Sequence, residues 1–175
     1  KAAGADAALV VTPYYVRPSQ DGLLAYYEAL QRAVALPFVI YNVPSRTSVD
    51  MAVETVIAAA KLPNAVGLKD ATGDLSRVAR HLADVPSDFA LLSGDDASAV
   101  GFNAQGGVGC ISVTANVAPR LCAEMHKAWR AGRLGEAMAI QDRLVPLHAA
   151  LVGETSPGPV KYAASLLAKC TDHCR

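Results

Sequence analysis

Five short apolar runs lie along the first part of the chain, and each is nearly continuous in hydrophobic residues. They cover residues 7–15, 38–43, 65–71, 89–94 and 107–114. Runs of this length, rich in Val, Ile, Leu, Phe and Tyr, are typical of strands that are buried on both faces. The pattern therefore predicts five strands of a parallel sheet.

Helical patterns separate the predicted strands. The first helix is predicted over residues 20–35 with Ser19 as its N-cap, and Asp50 and Asp74 are expected to open the next two. A short helix over 98–104 precedes the last strand. Three further helices follow without a strand between them, over 119–131, 134–152 and 159–169. This alternation predicts the α/β class.

Each predicted strand ends in a cluster of polar, Gly or Pro residues. Five strands alone suit either an open flavodoxin-like sheet or part of a closed (β/α)8 barrel. In a barrel, reactive groups at the strand ends form a ring, whereas an open sheet needs them only at its switch point. The clusters favour a partial TIM (β/α)8 barrel in residues 1–131, followed by a truncated helical region in residues 132–175.

Composition excludes several classes of function. Sixteen basic residues balance sixteen acidic ones, which leaves no electrostatic footprint for nucleic acid or an anionic membrane. No apolar run approaches the roughly 20 residues of a membrane span. The chain lacks an initiator Met and a signal-peptide pattern, so we expect it to begin within a longer protein.

The four cysteines indicate a reducing, cytoplasmic compartment. Cys110 and Cys122 fall in a predicted strand and helix, where we expect buried, reduced thiols. Cys170 and Cys174 flank His173 in the tail, but these three residues fall short of a four-ligand zinc pattern. We therefore predict no metal site.

Lys69 gives the strongest chemical signal. It lies inside an apolar strand, with Gly67 on the same face, so we expect space beside it. A low-dielectric environment disfavours the charged form of lysine, and the neutral amine can form an imine with a ketone. The alternative is a structural ion pair with an acid such as Asp95. The residues alone leave both interpretations open.

Polar side chains at other strand ends add to this picture. Tyr41 closes the second strand, where a phenol could relay protons or could be a half-buried core residue. Arg46 follows in a loop and could hold a carboxylate, or could be an ordinary surface arginine. Tyr14 and Tyr15 are adjacent, so in an extended chain they would point to opposite sides.

Six motifs occur in an order and spacing that resemble the dihydrodipicolinate synthase branch of the N-acetylneuraminate lyase superfamily. They are TPYY at 12–15, YNVPSRT at 41–47, GLKDATGD at 67–74, SGDD at 93–96, GCISV at 109–113 and PGPVKYA at 157–163. The resemblance covers nearly the whole chain and implies an eight-stranded barrel. It also implies a cytoplasmic homotetramer of the lysine and diaminopimelate pathway.

The resemblance implies a lyase that condenses pyruvate with L-aspartate 4-semialdehyde to 4-hydroxy-tetrahydrodipicolinate. In it, Lys69 would form a covalent imine with pyruvate, so no cofactor is expected. Tyr41 would shuttle protons, and Tyr15 would complete the relay across a dimer interface.

Four further roles are carried over from the resemblance. Arg46 would hold the carboxylate of the aldehyde substrate. Gly94 and Ile111 would line the site, and Tyr14 would lie near the place where lysine inhibits some members.

One departure from the family pattern leaves alternatives open. The first three strands of the family have no counterpart here, and with them a Gly-Thr-Thr-Gly-Glu type segment that contributes to the relay and to pyruvate binding. A sister lyase or dehydratase acting on sialic acid or sugar acids remains possible, although Arg46 and the two tyrosines favour aspartate semialdehyde. A catalytically inactive fragment or homologue is the other alternative.

Overall fold

A computed structural model describes residues 3–174, which form two compact units. The first unit contains the described residues up to Gly94 together with Gly101–Cys110. The second contains Asp95–Val100 and the described residues from Ile111 onward. The division predicted at residue 131 follows the change from alternating strands to helices, and it stays a prediction about domain organisation.

The first unit holds a five-stranded parallel sheet, as the apolar runs predicted. The strands pair in the order in which they occur in the chain. They are β1 (Ala8–Val11), β2 (Phe38–Asn42), β3 (Ala65–Asp70), β4 (Ala90–Ser93) and β5 (Gly109–Cys110). The fold class is therefore α/β.

The last strand is much shorter than the apolar run that predicted it. Residues 111–114 continue the run, but the N–H groups of Val113 and Thr114 donate to the Asp96 carboxylate at 2.8 and 3.1 Å. A 3₁₀ helix then follows over Thr114–Asn116. The amides that would extend β5 are thus bonded to a side chain, and the strand ends at Cys110.

Eight α-helices are described. They are α1 (Gln20–Ala33), α2 (Pro44–Thr47), α3 (Val53–Ala60), α4 (Ser76–Leu82), α5 (Ala99–Ala104), α6 (Pro119–Arg130), α7 (Leu134–Val152) and α8 (Gly158–Leu166). The predicted N-cap of α1 is confirmed, because Ser19 Oγ accepts the N–H of Gly22 at 3.3 Å. The short helix α2 was not predicted, although Pro44 at its first position is a common helix start.

The expected capping role of Asp50 is wrong, whereas Asp74 does bond to the start of its helix. Helix α3 is preceded by Ala52 and has no side-chain cap, and the carboxylate of Asp50 instead accepts from Asn42. The Asp74 carboxylate accepts the N–H of Ser76, the first residue of α4, at 2.9 Å, although Leu75 occupies the cap position itself.

One face of the sheet packs against α1, α3 and α4. Burial alternates along β2, where residues 38, 40 and 42 are buried and residues 39 and 41 are half-buried. The ring of Tyr27 stacks on Phe38 at 5.8 Å, and its hydroxyl donates to the Val10 carbonyl at 3.1 Å. The remaining core side chains on this face include Leu23, Ile40, Val56, Leu68, Val78 and Leu91.

The opposite face of the sheet is only partly covered. Leu9 is 47% exposed, and Val11, Val39 and Leu92 are half-buried. Burial was predicted on both faces, but only the first face is buried, because all three helices lie on that side of the sheet. We call this second surface the open face.

The second unit is built on the packing of α6 with α7. Buried residues recur at helical spacing along both, at 122, 125 and 128 in α6 and at 137, 140 and 144 in α7. His148 of α7 is buried and its Nδ1 lies 2.7 Å from the hydroxyl oxygen of Thr114. Across the described residues, no helix combines the length and apolar character needed to cross a membrane.

Candidate active site

Lysine and tyrosine side chains meet at the carboxyl ends of two neighbouring strands. The register pairs Tyr41 of β2 with Lys69 of β3. The Lys69 Nζ atom lies over the Tyr41 ring, 4.1 Å from its centroid, in a cation–π contact. Both side chains are half-buried on the open face. Two residues that the sequence singled out separately are thus brought into direct contact.

The strand around Lys69 is held closely against its neighbour. A Cβ atom added at Gly67 would lie 2.6 Å from the Ala90 carbonyl oxygen, so no side chain fits there. The sequence predicted space beside Lys69 at this position, and that prediction is wrong because the backbone of β4 fills it. Gly67 instead allows β3 and β4 to approach each other.

The Tyr41 hydroxyl has a perturbed acidity. Burial raises the pKa of the phenol above its ordinary value, and the positive charge of Arg46 offsets part of this effect. The phenol therefore stays protonated at neutral pH, which lets it donate a proton to a bound substrate and take one back.

Arg46 belongs to a short, well-anchored helix. The buried Thr47 next to it donates its hydroxyl to the Val49 carbonyl at 2.9 Å. The Arg46 side chain itself is exposed. A fixed backbone with a free guanidinium suits the capture of an anionic group from solution.

Tyr41 and Arg46 share a cavity at the open face. Its volume is about 530 Å³. It is lined by Leu9, Val11, Tyr14, Tyr41, Val43, Arg46 and Thr47. A cavity with mostly apolar walls and a few polar groups is the usual setting for a small-molecule site.

The other predicted site residues lie in different places. Tyr14 lines the cavity and is 63% exposed, whereas Tyr15 is 90% exposed. The N–H of Gly94 donates to the Asp70 carbonyl at 2.7 Å, and a side chain at Gly94 would clash with Ala71. Ile111 directly follows β5 and is half-buried in the second unit. Its place in the site stays a prediction.

A buried polar network on the helix-covered face was missed by the sequence analysis. Asn42 and Asp70, which follow Tyr41 and Lys69 in the chain, are 0% and 4% exposed. The signal was available, because a polar residue inside an apolar strand must find a hydrogen-bond partner when it is buried. The partners could not be read from local sequence.

Arg77 joins the parts of this network. Its Nε donates to Asp70 at 3.2 Å, its Nη1 to Asp50 at 3.3 Å and its Nη2 to the Met51 carbonyl. The second oxygen of Asp50 accepts from the Asn42 side-chain amide at 2.8 Å. Asn42 in turn accepts the Met51 N–H at 3.0 Å.

The cysteines differ in burial. Cys122 is buried, and burial raises the pKa of its thiol, but Cys110 is only half-buried, contrary to expectation. Cys170 and Cys174 are exposed. Within residues 3–174, no three side chains of His, Cys, Asp or Glu are grouped so as to hold a metal ion.

The sheet and the strand-end lysine define the structural class. Parallel strands joined by helices, with chemistry at their carboxyl ends, form part of a (β/α)8 barrel. The chain belongs to the dihydrodipicolinate synthetase family, whose model matches residues 1–175.

Relatives of known name span the whole chain. It is 62% identical to the 4-hydroxy-tetrahydrodipicolinate synthase of Rhodospirillum centenum, covering 100% of this chain and 60% of the relative. The corresponding protein of Hyphomonas neptunium is 59% identical, with the same coverage. The chain thus spans about 60% of the length of these relatives.

Solved structures agree with the fold of the chain. Dihydrodipicolinate synthase from Aquifex aeolicus superposes with a TM-score of 0.95 at 38% identity, covering 98% of this chain and 59% of that one. The chloride-inhibited enzyme of Acinetobacter baumannii, complexed with pyruvate, gives 0.94 at 41% identity, with the same coverage.

The network predicts a pH-dependent stability. Burial alone would raise the pKa of Asp70, but interaction with His81, hydrogen bonding from Thr72 and the charge of Arg77 outweigh it and hold that pKa below its ordinary value. A carboxyl with a lowered folded-state pKa stabilises the fold above its unfolded-state pKa of about 3.8. The stabilisation is lost as the pH falls through the folded-state value.

Replacement of Asp70 by asparagine will therefore destabilise the protein most at neutral pH. The expected loss is about 3 kcal/mol, because the substitution leaves Arg77 without its buried charge partner. Urea unfolding at pH 7 and pH 3 provides the measurement. It is made on the full-length form, by which we mean a protein of the relatives' length in which this chain occupies the matched region. Asp84→Asn, at an exposed site, is the control. An equal loss at both pH values would contradict the assignment.

Proposed function

We propose that the chain carries the imine-forming centre of a 4-hydroxy-tetrahydrodipicolinate synthase, which condenses pyruvate with L-aspartate 4-semialdehyde. The observation that carries this proposal is the contact of Lys69 with Tyr41 at the strand ends, on a half-open apolar face. Membership of the family and the pyruvate complex of the Acinetobacter relative support it.

In this proposal Lys69 is the nucleophile. Its neutral amine attacks the ketone carbon of pyruvate, and loss of water leaves an imine. The ring of Tyr41 favours the charged ammonium, whereas partial burial favours the neutral amine. Attack on the ketone requires that the ammonium first lose a proton.

Tyr41 handles the protons of the following steps. Removal of a methyl proton from the imine gives an enamine, whose carbon attacks the aldehyde of the second substrate. The new alkoxide must then be protonated. A phenol that is neutral at pH 7 and lies beside Lys69 can deliver and recover these protons. No cofactor is needed, because the protonated imine nitrogen accepts the electron pair when the methyl proton leaves and returns it when the carbon–carbon bond forms, and the aldehyde oxygen takes up the negative charge.

Further residues complete the proposed site. Gly94 and Ile111 line it, and Tyr14 lies near a lysine-inhibitor site. Tyr15 is exposed enough to reach a second subunit, and it completes the proton relay across a dimer interface within a homotetramer. These roles come from the family resemblance, and the exposure of Tyr15 is compatible with its role.

The test of the proposal is an assay of the full-length form with both substrates. We expect pyruvate-dependent consumption of L-aspartate 4-semialdehyde and a borohydride-stable pyruvate adduct on Lys69. N-acetylneuraminate serves as the competing substrate. Cleavage of N-acetylneuraminate without condensation of the semialdehyde would favour a sister lyase and contradict the proposal.

Replacement of Arg46 by alanine will weaken the binding of the aldehyde substrate far more than the binding of pyruvate. A hydrogen-bonded charge pair contributes about 1.5–3 kcal/mol, so the KM for the semialdehyde should rise roughly tenfold or more. Steady-state kinetics with each substrate varied in turn provides the measurement. Arg32→Ala, at an exposed arginine on α1, is the control. Equal changes in both KM values would remove the assigned role.

A further inference from the structure

The two reactive strands each carry a buried polar residue immediately after the reactive one. Tyr41 is followed by Asn42 and Lys69 by Asp70, and the register sets both pairs side by side. Asn42 and Asp70 lie on the helix-covered face and are almost fully buried. The reactive pair and the buried pair therefore occupy opposite sides of the same short stretch of sheet.

Alternation along a strand couples the two faces. Successive side chains point to opposite sides, so a rotation or slip that moves one residue moves its neighbour as well. The side chains of Asn42 and Asp70 are held by two hydrogen bonds each, whereas Tyr41 and Lys69 lie on the open face. The buried pair is thus better placed to define the strand positions than the reactive pair is.

Arg77 closes the network across the two strands. It binds Asp70 of β3 directly, and it reaches Asn42 of β2 through Asp50. A third bond goes to the Met51 carbonyl, and the Met51 N–H returns to Asn42. The planar guanidinium fixes all three directions at once, which a lysine ammonium cannot do.

We propose that Arg77 is a positioning residue that acts through Asp70 and Asn42 to set the distance and orientation of Lys69 relative to Tyr41. The inference rests on the proposed function, because it concerns the rate at which Lys69 forms its imine. Arg77 touches neither reactive side chain in the network described above. Its effect is carried by the backbone of β2 and β3.

The chain offers a matched control three residues away on the same helix. Arg80 also pairs with a carboxylate, that of Glu54 at 2.9 Å, but both side chains are largely exposed. Arg77 and Asp70 have side-chain exposures of 10% and 3%. Removal of either arginine deletes one positive charge from α4, but only Arg77 links the two strands.

The experiment measures imine formation in the full-length form for Arg77→Met, Arg77→Lys and Arg80→Met. The rate of borohydride trapping with pyruvate is recorded per folded molecule across pH, together with kcat and the KM for pyruvate. Misplacement of a reacting group by about 1 Å can cost on the order of a hundredfold, so we expect Arg77→Met to trap at least tenfold more slowly. We expect its pH profile to shift, Arg77→Lys to recover part of the rate, and Arg80→Met to match the wild type.

A second variant covers the case in which Arg77→Met does not fold. Asp50 is half-exposed, so Asp50→Ala disturbs the core less while it removes the carboxylate that joins Arg77 to Asn42 and leaves only the link through Met51. We expect slower trapping in the folded protein, in the same direction as Arg77→Met.

The outcomes separate the inference from the proposed function. If the wild type traps pyruvate on Lys69, and folded Arg77→Met and Asp50→Ala trap it at the same rate with the same pH profile, the inference alone is overturned. Equal slowing in Arg80→Met would overturn it as well, because charge and not the link would then be the cause. Absence of wild-type trapping on Lys69 would overturn the proposed function and this inference together.

Discussion

Replacement of Lys69 by alanine will abolish the borohydride-stable adduct that pyruvate leaves on the full-length form, and turnover will fall with it. Alanine has no amine, so no imine can form. Loss of a covalent nucleophile costs on the order of a thousandfold or more in kcat. Lys69→Arg will fail to the same extent, because a guanidinium stays protonated and cannot attack the ketone.

Mass spectrometry of the trapped protein places the adduct. The exposed Lys127 on α6 gives the matched control, since Lys127→Ala also deletes one amine but lies outside the site. We expect this variant to trap pyruvate at the wild-type rate. An adduct on Lys61, Lys127 or Lys161, or an undiminished adduct in Lys69→Ala, would remove Lys69 from its role.

The five strands and their parallel direction could be predicted because the signal is local. Each strand is a nearly continuous apolar run, and alternation with helices requires parallel neighbours. The ends were less predictable. The run over 107–114 gave a two-residue strand because Asp96, distant in the chain, captures the amides of Val113 and Thr114.

Within the candidate site, only the residues at strand ends could be predicted from the sequence. Strand-end position brought Lys69 and Tyr41 together, as the structure confirms. Asp50 was misjudged because its position before a helix suggested a cap, while its partner Arg77 lies 27 residues further along the chain. Long-range partners of this kind leave no local pattern, so the network behind the site became visible only in the fold.

The predicted roles of Tyr15 and Ile111 depend on parts of the protein outside the strands that carry Lys69 and Tyr41. Tyr15 is 90% exposed, so its function in the proposal depends on a second subunit. Ile111 belongs to the second compact unit. Neither pattern nor strand geometry assigns these two residues to the site, and only the family resemblance does.

Expressed alone, the 175-residue chain will associate and will lack condensation activity, even with Lys69, Tyr41 and Arg46 intact. In the described sheet, β1 and β5 each have a neighbour on one side only. Unpaired strand edges and a partly exposed apolar face are both common causes of association. The match covers 60% of the relative from Rhodospirillum centenum, so about 40% of that protein has no counterpart in the isolated chain.

A substitution on the open face separates association from loss of the fold. Leu9 is 47% exposed, so Leu9→Gln should reduce association of the isolated chain with little effect on its secondary structure. In the full-length form we expect the same change to destabilise the protein by about 2–3 kcal/mol, because a closed barrel buries its inward-facing residues. Sedimentation, near-UV circular dichroism and pyruvate-dependent condensation are measured for both proteins. An isolated chain that is monodisperse, tightly folded and active would show that the open face does not need the remaining barrel strands to cover it, which contradicts this prediction.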